Sequence, residues 1–380
     1  MADLRNFMAL LCAVALSYPC IAQEVSSSRN AAEPVTIPME VASTVQVSSL
    51  PAESIALPLI CSPEGAIFLQ LATLNGIEDP ISISSDGKTV TRFGREKISD
   101  LPHSTPVQMF VGGTDLYMLV VTTSPLGRAV EWRTPAGQLQ RVQDGKFNFF
   151  IVRFQPDGNY LGAVPLDLLF QPLHFGVFEN GDFLIAGMDS HREPHEALVS
   201  SAGQFERSVE IEGDVHLRSD SDASKKQNDR MALPQSAPSN DYFTGSLSGV
   251  LYASQIIRDG PNLLLLRPGS PVVFSISPGG EVRTQELKVP REYKLSTIKA
   301  VRNMWIAEFT HDYADDRGWE FAAYAIDPAS GLPLKRFDYP RELGFGMACT
   351  DGTEFTFLEA GAETKVLKLL KVVPSSRQAR

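Results

Sequence analysis

Residues 173–187, LHFGVFENGDFLIAG, are the stretch on which the reading of this 380-residue chain turns. Two short apolar runs flank Glu179-Asn180-Gly181-Asp182. Each run is too short for a stable helix, and Asn-Gly between β-favouring runs is a strong local signal for a tight hairpin. The arrangement recurs as LPLICSPEGAIFLQL (57–71), PVQMFVGGTDLYMLVV (106–121), YASQIIRDGPNLLLL (252–266), TIKAVRNMWIAEF (297–309) and GFGMACTDGTEFTFL (344–358). A second hairpin pattern follows most copies: PISISSDGKTVTRFG (80–94), FIVRFQPDGNYLGAV (150–164), EALVSSAGQFERSVE (196–210), VVFSISPGGEVRTQE (272–286) and FAAYAIDPASGLPLKRF (321–337). Together they make units of four strands, A to D, with tight A–B and C–D turns.

The first turns are marked by Gly65, Gly113, Gly181, Gly260, Asn303 and Gly352, at intervals of 48, 68, 79, 43 and 49 residues. The two long intervals hold insertions, 124–146 and the Ser-, Asp- and Lys-rich stretch 213–246, and without them both shrink to 45. Four strands per period of about 45 residues is the mark of a β-propeller. The expected fold is all-β: a six-bladed propeller with four-stranded blades. Seven blades would require 124–146 to be a blade of its own, but AVEWRTPAGQLQRV (129–142) supplies only a hairpin. The sixth copy lacks a final strand, and an open ring would expose strand edges. VTIPMEVASTVQVSS (35–49) is β-rich and is expected to complete the last blade and close the ring. KVLKLLKVV (365–373) carries lysines at a helical interval of three, yet the ring needs a strand there.

In period and turn pattern, residues 35–373 resemble six-bladed propellers of the NHL/TolB-like kind. The resemblance implies the architecture and no activity, because no motif of that family's chemistry accompanies it. In such a ring Cys61, at the end of the first A strand, and Cys349, at the matching point of the sixth, belong to neighbouring blades. They read either as two buried thiols or as a disulfide across the closure, which needs Cα atoms about 4.4–6.8 Å apart.

The flanking segments point outside the cell. Arg5, the apolar run Phe7–Leu16 and the small-residue end at Ala22 form a secretory leader over residues 1–22, followed by a linker (23–34). A lipid anchor on Cys20 fits less well, since Pro19 precedes it. The remainder, ending in a polar tail at 374–380, holds no long uncharged apolar run, so no transmembrane segment is expected in the mature chain. Export to the periplasm or the extracellular space is the expectation. A net charge of −11 without a basic cluster argues against nucleic acid as a partner. The 213–246 insertion has too few apolar residues to pack and is expected to be disordered.

The irregular B–C loops should share one face, which is where binding is expected. The blade-three loop holds Asp189, His191 and His195, a donor set for zinc; Pro194 opposes a helical His pair and favours an ordinary polar loop. Asp312, Asp315 and Asp316 in the blade-five loop could suit calcium, or be a solvated acidic loop with Arg317. Trp132 and Trp319 are candidate contacts for a ligand, alongside His191 and His195. No nucleophile elbow, phosphate loop or dinucleotide fingerprint is present. The expected function is non-catalytic binding of a protein, peptide or glycan, without a cofactor. The competing reading is a metal-dependent hydrolase or lyase, with calcium or zinc at the channel mouth.

Overall fold

The computed structural model describes residues 34–51, 54–73, 76–98, 101, 104–123, 131–133, 139–141, 147–189, 193–211, 251, 253–267, 270–290, 294–312, 319–340, 343, 346–360 and 366–375. β1 (Val35–Pro51) opens this part. The first sheet follows as β2 (Ser54–Cys61), β3 (Ile67–Thr73), the two-residue β4 (Gly76–Ile77), β5 (Ile81–Ile83) and β6 (Val90–Arg92). The second has β7 (Thr105–Gly112) and β8 (Asp115–Thr123), then, after a separate hairpin of β9 (Glu131–Arg133) and β10 (Leu139–Arg141), β11 (Phe147–Phe154) and β12 (Tyr160–Pro165). The third has β13 (Gln171–Val177), β14 (Phe183–Met188), β15 (Pro194–Val199) and β16 (Phe205–Val209). The fourth has β17 (Gln255–Asp259), β18 (Asn262–Leu266), β19 (Val272–Ile276) and β20 (Val282–Glu286). The last strands are β21 (Lys294–Val301), β22 (Met304–Asp312), β23 (Trp319–Ile326), β24 (Pro333–Asp338), β25 (Met347–Thr350), β26 (Phe355–Ala360) and β27 (Val366–Pro374).

The protein is all-β, with its sheets in a propeller-like arrangement. Six separate sheets are not what the pairing draws. β21 to β27 and β1 form one eight-stranded sheet, in the order β21-β22-β23-β24-β1-β27-β26-β25. The physical reason is the length of β1, 17 residues against nine in β27. From Met39 onward β1 runs antiparallel to β27, and its overhanging start, Val35–Pro38, lies parallel to Lys335–Asp338 of β24. An unpaired edge is thereby covered. The two halves of this sheet also pack face to face, with Phe337 and Phe355 ring centroids 4.8 Å apart and Ile306, Ala323, Met347 and Phe357 beside them. KVLKLLKVV is strand, as the ladder with β26 and β1 requires.

Within the four-stranded sheets, side-chain chemistry grades from the inside outward. β14 (FLIAGM) is buried at every position, whereas the outer β16 (FERSV) is exposed except at Val209. A strand covered on both faces reads as continuously apolar, and one facing solvent does not. Apolar clusters fill the gaps between successive sheets, including the gap between the first sheet and the β25–β27 half of the last.

The second hairpin turn of each sheet sits against the outermost strand of the sheet before it. At Gly203, φ is +83°, and a Cβ would lie 1.9 Å from the Pro165 carbonyl oxygen of β12; the turn's own carbonyl accepts the Asp167 N–H at 3.0 Å. Only glycine fits both constraints. Gly158 approaches the Arg92 carbonyl and Gly331 the Glu286 carbonyl in the same way, while Gly280 lies against the Arg207 guanidinium. For the first sheet the strand approached is β1: Gly87 lies against Val45, with Leu369 of β27 alongside.

Among the described residues no helix is long and apolar enough to cross a membrane.

Candidate functional site

The first strands of the repeating units touch in chain order, β2 to β7, β13, β17, β21 and β25, and β25 returns to β2. All but β13, with their turns, line a cavity of about 560 Å³. That volume lies within the range that takes small ligands. The lining runs from Gln108, Gln255 and Thr297 up to the A–B turns at Pro63, Gly113, Gly260 and Arg302. The cavity thus reaches the face that carries the short turns, rather than the B–C loops to which sequence assigned binding.

Local irregularity shapes the wall. Inner strands β7, β13, β21 and β25 each carry a register shift against their partner, and β2 carries a longer one between Ala56 and Ile60. Pro58 lacks an N–H and falls inside that shift. The Leu59 carbonyl, outside the ladder, accepts a hydrogen bond from Lys299 Nζ at 2.9 Å. This bond joins β21 to β2 past the short β25. On β25, Cys349 is disulfide-bonded to Cys61 of β2, with Cα atoms 5.2 Å apart across 288 positions.

Burial governs the charges here. Lys299 is lowered to about 8, first because the surrounding protein disfavours the ammonium; the nearby Glu308 carboxylate opposes that in part. Glu308, only 1% exposed, is raised to about 7 by burial; the Met347 N–H, donating to it at 3.0 Å, and Lys299 act against the rise. Lys299 and Glu308 feel each other without forming a contact ion pair. Arg258 is half-buried: Nη2 donates to the Val177 carbonyl at 2.6 Å, the guanidinium lies 6.0 Å from the Phe110 ring centroid, and Nε is buried without a hydrogen-bond partner. Its pKa is lowered, chiefly by burial.

The lining carboxylates are committed locally. Asp259 accepts the indole N–H of Trp305 at 3.1 Å. Asp351 accepts the N–H groups of Thr353 and Glu354, each at 2.8 Å, and its pKa is lowered, first by the Glu354 bond. At the mouth, exposed Arg302 holds φ +54° in a left-handed turn, where the matching residue of β17–β18 is Gly260 at φ +56°. It is Arg302, and not the Asn303 used as the sequence marker, that takes the glycine position.

Of the candidates named from sequence, Asp189 and His195 come together. His195 Nε2 lies 3.3 Å from Asp189 Oδ2, and its ring stacks on Phe170 at 5.6 Å. Asp189 also accepts the Glu193 N–H, closing the loop on itself. Pro194 and His195 lie in strand β15, not a helix, so a helical His pair is not formed. His191, Asp315 and Asp316 lie outside the described residues, as do all of 213–246 and the leader. Trp132, Asp312 and Trp319 fall in strands β9, β22 and β23, with side chains outside the description. Among the described residues no three His, Cys, Asp or Glu side chains gather as a metal site would need.

Sequence reading missed Lys299, Glu308 and Arg258. A signal was present: each places a charge beside apolar residues in an inner or second strand, in TIKAV, WIAEF and QIIRD. A charge in a run destined for burial marks either an ion pair or a site.

No protein-family model matches the chain, and no curated protein sequence matches it. Several solved structures are similar to it. Virginiamycin B lyase from Staphylococcus aureus is 12% identical over 88% of this chain and 99% of its own, with a TM-score of 0.44. A protein of unknown function from Dyadobacter fermentans is 10% identical over 89% and 99%, with a TM-score of 0.45. The Pan2 WD40 domain of Neurospora crassa is 6% identical over 90% and 98%, with a TM-score of 0.36. These likenesses carry no argument about activity; the propeller-like arrangement rests on the strand pairing itself.

Proposed function

We propose that this chain is an exported, non-catalytic six-bladed propeller whose work is to bind a ligand, and that the central cavity is the seat. The observation that carries the reading is the cavity itself: about 560 Å³, lined by inner strands of successive sheets and open at the short-turn face, with apolar and polar groups mixed in its walls.

Six blades are supported by the sequence of contacts around the molecule. Each second-hairpin turn lies against the preceding outer strand, and β1 takes that place for the first sheet. The eight-stranded sheet then reads as two blades, β21–β24 and β25–β27 with β1, joined at Val35–Pro38. Export is supported by the leader-like residues 1–22 and by the Cys61–Cys349 disulfide, a bond that persists in oxidising compartments. A protein, peptide or glycan on the B–C face, as sequence suggested, would use Trp132, His191, His195 and Trp319, and nothing in the described geometry favours it over the cavity.

The test is hydrogen exchange on the purified mature protein with and without a small molecule that raises its Tm. Protection concentrated in β2, β7, β17 and β21 is the expected result. Protection confined to 124–146, 189–193 and 312–319 would move the binding seat to the loop face and sink the cavity reading.

A further inference from the structure

The cavity has an asymmetry that its size alone does not explain. Its carboxylates, Asp259 and Asp351, already accept hydrogen bonds from Trp305, Thr353 and Glu354. Its cations are not matched. Lys299 donates to one backbone carbonyl and Arg258 to another, and among the described residues neither has a carboxylate within ion-pairing distance. Glu179 and Glu308 act on Arg258 and Lys299 through space without contact. A buried cation is normally paired, because water is no longer there to solvate it. Here two cations line one cavity with donor hydrogens still uncommitted among the described residues: two of the three on Lys299, and on Arg258 the amino hydrogens that the Val177 carbonyl does not take. A third, Arg302, stands at the mouth in a left-handed backbone conformation that disfavours any residue with a Cβ.

Around those cations the wall mixes apolar residues, Ile60, Met109, Phe110, Val111, Ile257 and Ala300, with uncharged polar ones such as Gln108, Gln255 and Thr297. A ligand that satisfies both features has an anionic head and an apolar body. Being negatively charged, it supplies the partner that the fold withholds from Lys299 and Arg258. A neutral ligand leaves both unmatched, and a cationic one is repelled.

We propose that the cavity is a site for a small organic anion, a carboxylate or a phosphate monoester carrying an apolar group, held by Lys299 and Arg258 and screened at the mouth by Arg302. The inference rests on the cavity being the binding seat. It adds the charge of the ligand and names the residues that select it.

Calorimetric titration of the intact mature chain decides it. The probes are octanoate, benzoate and phenyl phosphate, with octanamide, benzamide and phenol as neutral counterparts. At least one anion is expected to bind one to one and about tenfold or more tighter than its counterpart. Lys299→Met and Arg258→Met should each weaken that anion about tenfold, while Lys299→Arg, which keeps the charge, should stay within about threefold. Octanoate or benzoate outranking phenyl phosphate identifies the head as carboxylate, and the reverse order identifies phosphate. Equal binding of anions and neutral counterparts, or unchanged affinity in both methionine variants, overturns the anion site and leaves the cavity as a binding seat. Absence of binding by every probe overturns both. Should Lys299→Met fail to fold, Arg258→Met and the wild-type anion-to-neutral ratio still decide the matter.

Discussion

Between the third and fourth sheets, Arg267 and Glu196 meet at 2.5 Å with side chains 2% and 6% exposed, and Ser254 accepts from the same guanidinium at 3.1 Å. Around the cavity, Lys299 and Glu308 are also taken from water, yet they stand apart. One region answers the cost of burying charge with a contact pair. The other leaves much of that cost standing. A propeller does not need charge at either place, since neighbouring strands at the same depth are filled by Leu, Ile and Phe. The paired arrangement is therefore sufficiently explained as structure, and the unpaired one calls for a function, because local rules are broken most readily where a site requires it.

If that contrast holds, Arg267→Met should give the largest loss of stability, about 3–5 kcal/mol, because the buried Glu196 would lose its contact with the Arg267 guanidinium. Denaturant unfolding measures it, and replacing both residues by methionine should restore much of the loss. An equal loss in the double variant would show that packing, not charge, dominates there.

Cys61→Ser should cost about 2–5 kcal/mol by releasing the bond between the first and last inner strands. The same chain with and without reductant, followed by thermal melting, gives an independent reading. A melting curve indifferent to both would remove the closure from the stability of the ring.

The unpaired region predicts a pH signature. Glu308 has its folded pKa raised from 4.5 to about 7, so its contribution is fully present below about 4.5 and lost as pH rises through about 7. That shift corresponds to roughly 3 kcal/mol. Lys299 is depressed from 10.5 to about 8, so its contribution is present above about 10.5 and lost as pH falls through about 8. Between about 7 and 8 both are charged, and together they are at their least favourable. Glu308→Gln should flatten the acid side of this profile and raise stability at pH 8, as read by urea unfolding across pH; an unchanged acid limb would show that Glu308 does not titrate there.

The smallest expected effect is at the mouth. Arg302→Gly relieves the left-handed arginine at φ +54° and should gain about 1 kcal/mol, offset in part by glycine's greater chain entropy. A loss of stability instead would mean that Arg302 is held by more than its backbone, for example by its attraction to Asp351.

How far the molecule was legible in its sequence follows from the range of each interaction. The hairpins could be read because alternation and turn chemistry act over a few residues: LHFGVFENGDFLIAG is β13 and β14, with Gly181 at φ +89° in the turn between them. The second hairpins were visible for the same reason. The joining of β24 to β1 was not, since it depends on how far a 17-residue strand overhangs its partner. The site was less legible still. Spacing drew attention to His191, His195 and the acidic loop at 312–316, all local clusters. Lys299 and the Leu59 carbonyl it reaches are 240 positions apart, and Arg258 and the Val177 carbonyl are 81 apart.

By itself, then, the sequence determined where strands begin and turn, which strands are apolar enough to be inner, and that Cys61 and Cys349 occupy matching points of two units. Those properties come from side-chain alternation and backbone preference, which need no distant partner. Tertiary structure alone decided which charges meet an opposite charge and which face a cavity. A charged residue in an apolar strand looks the same in either case until the neighbouring sheets are in place to pair it or to leave it open.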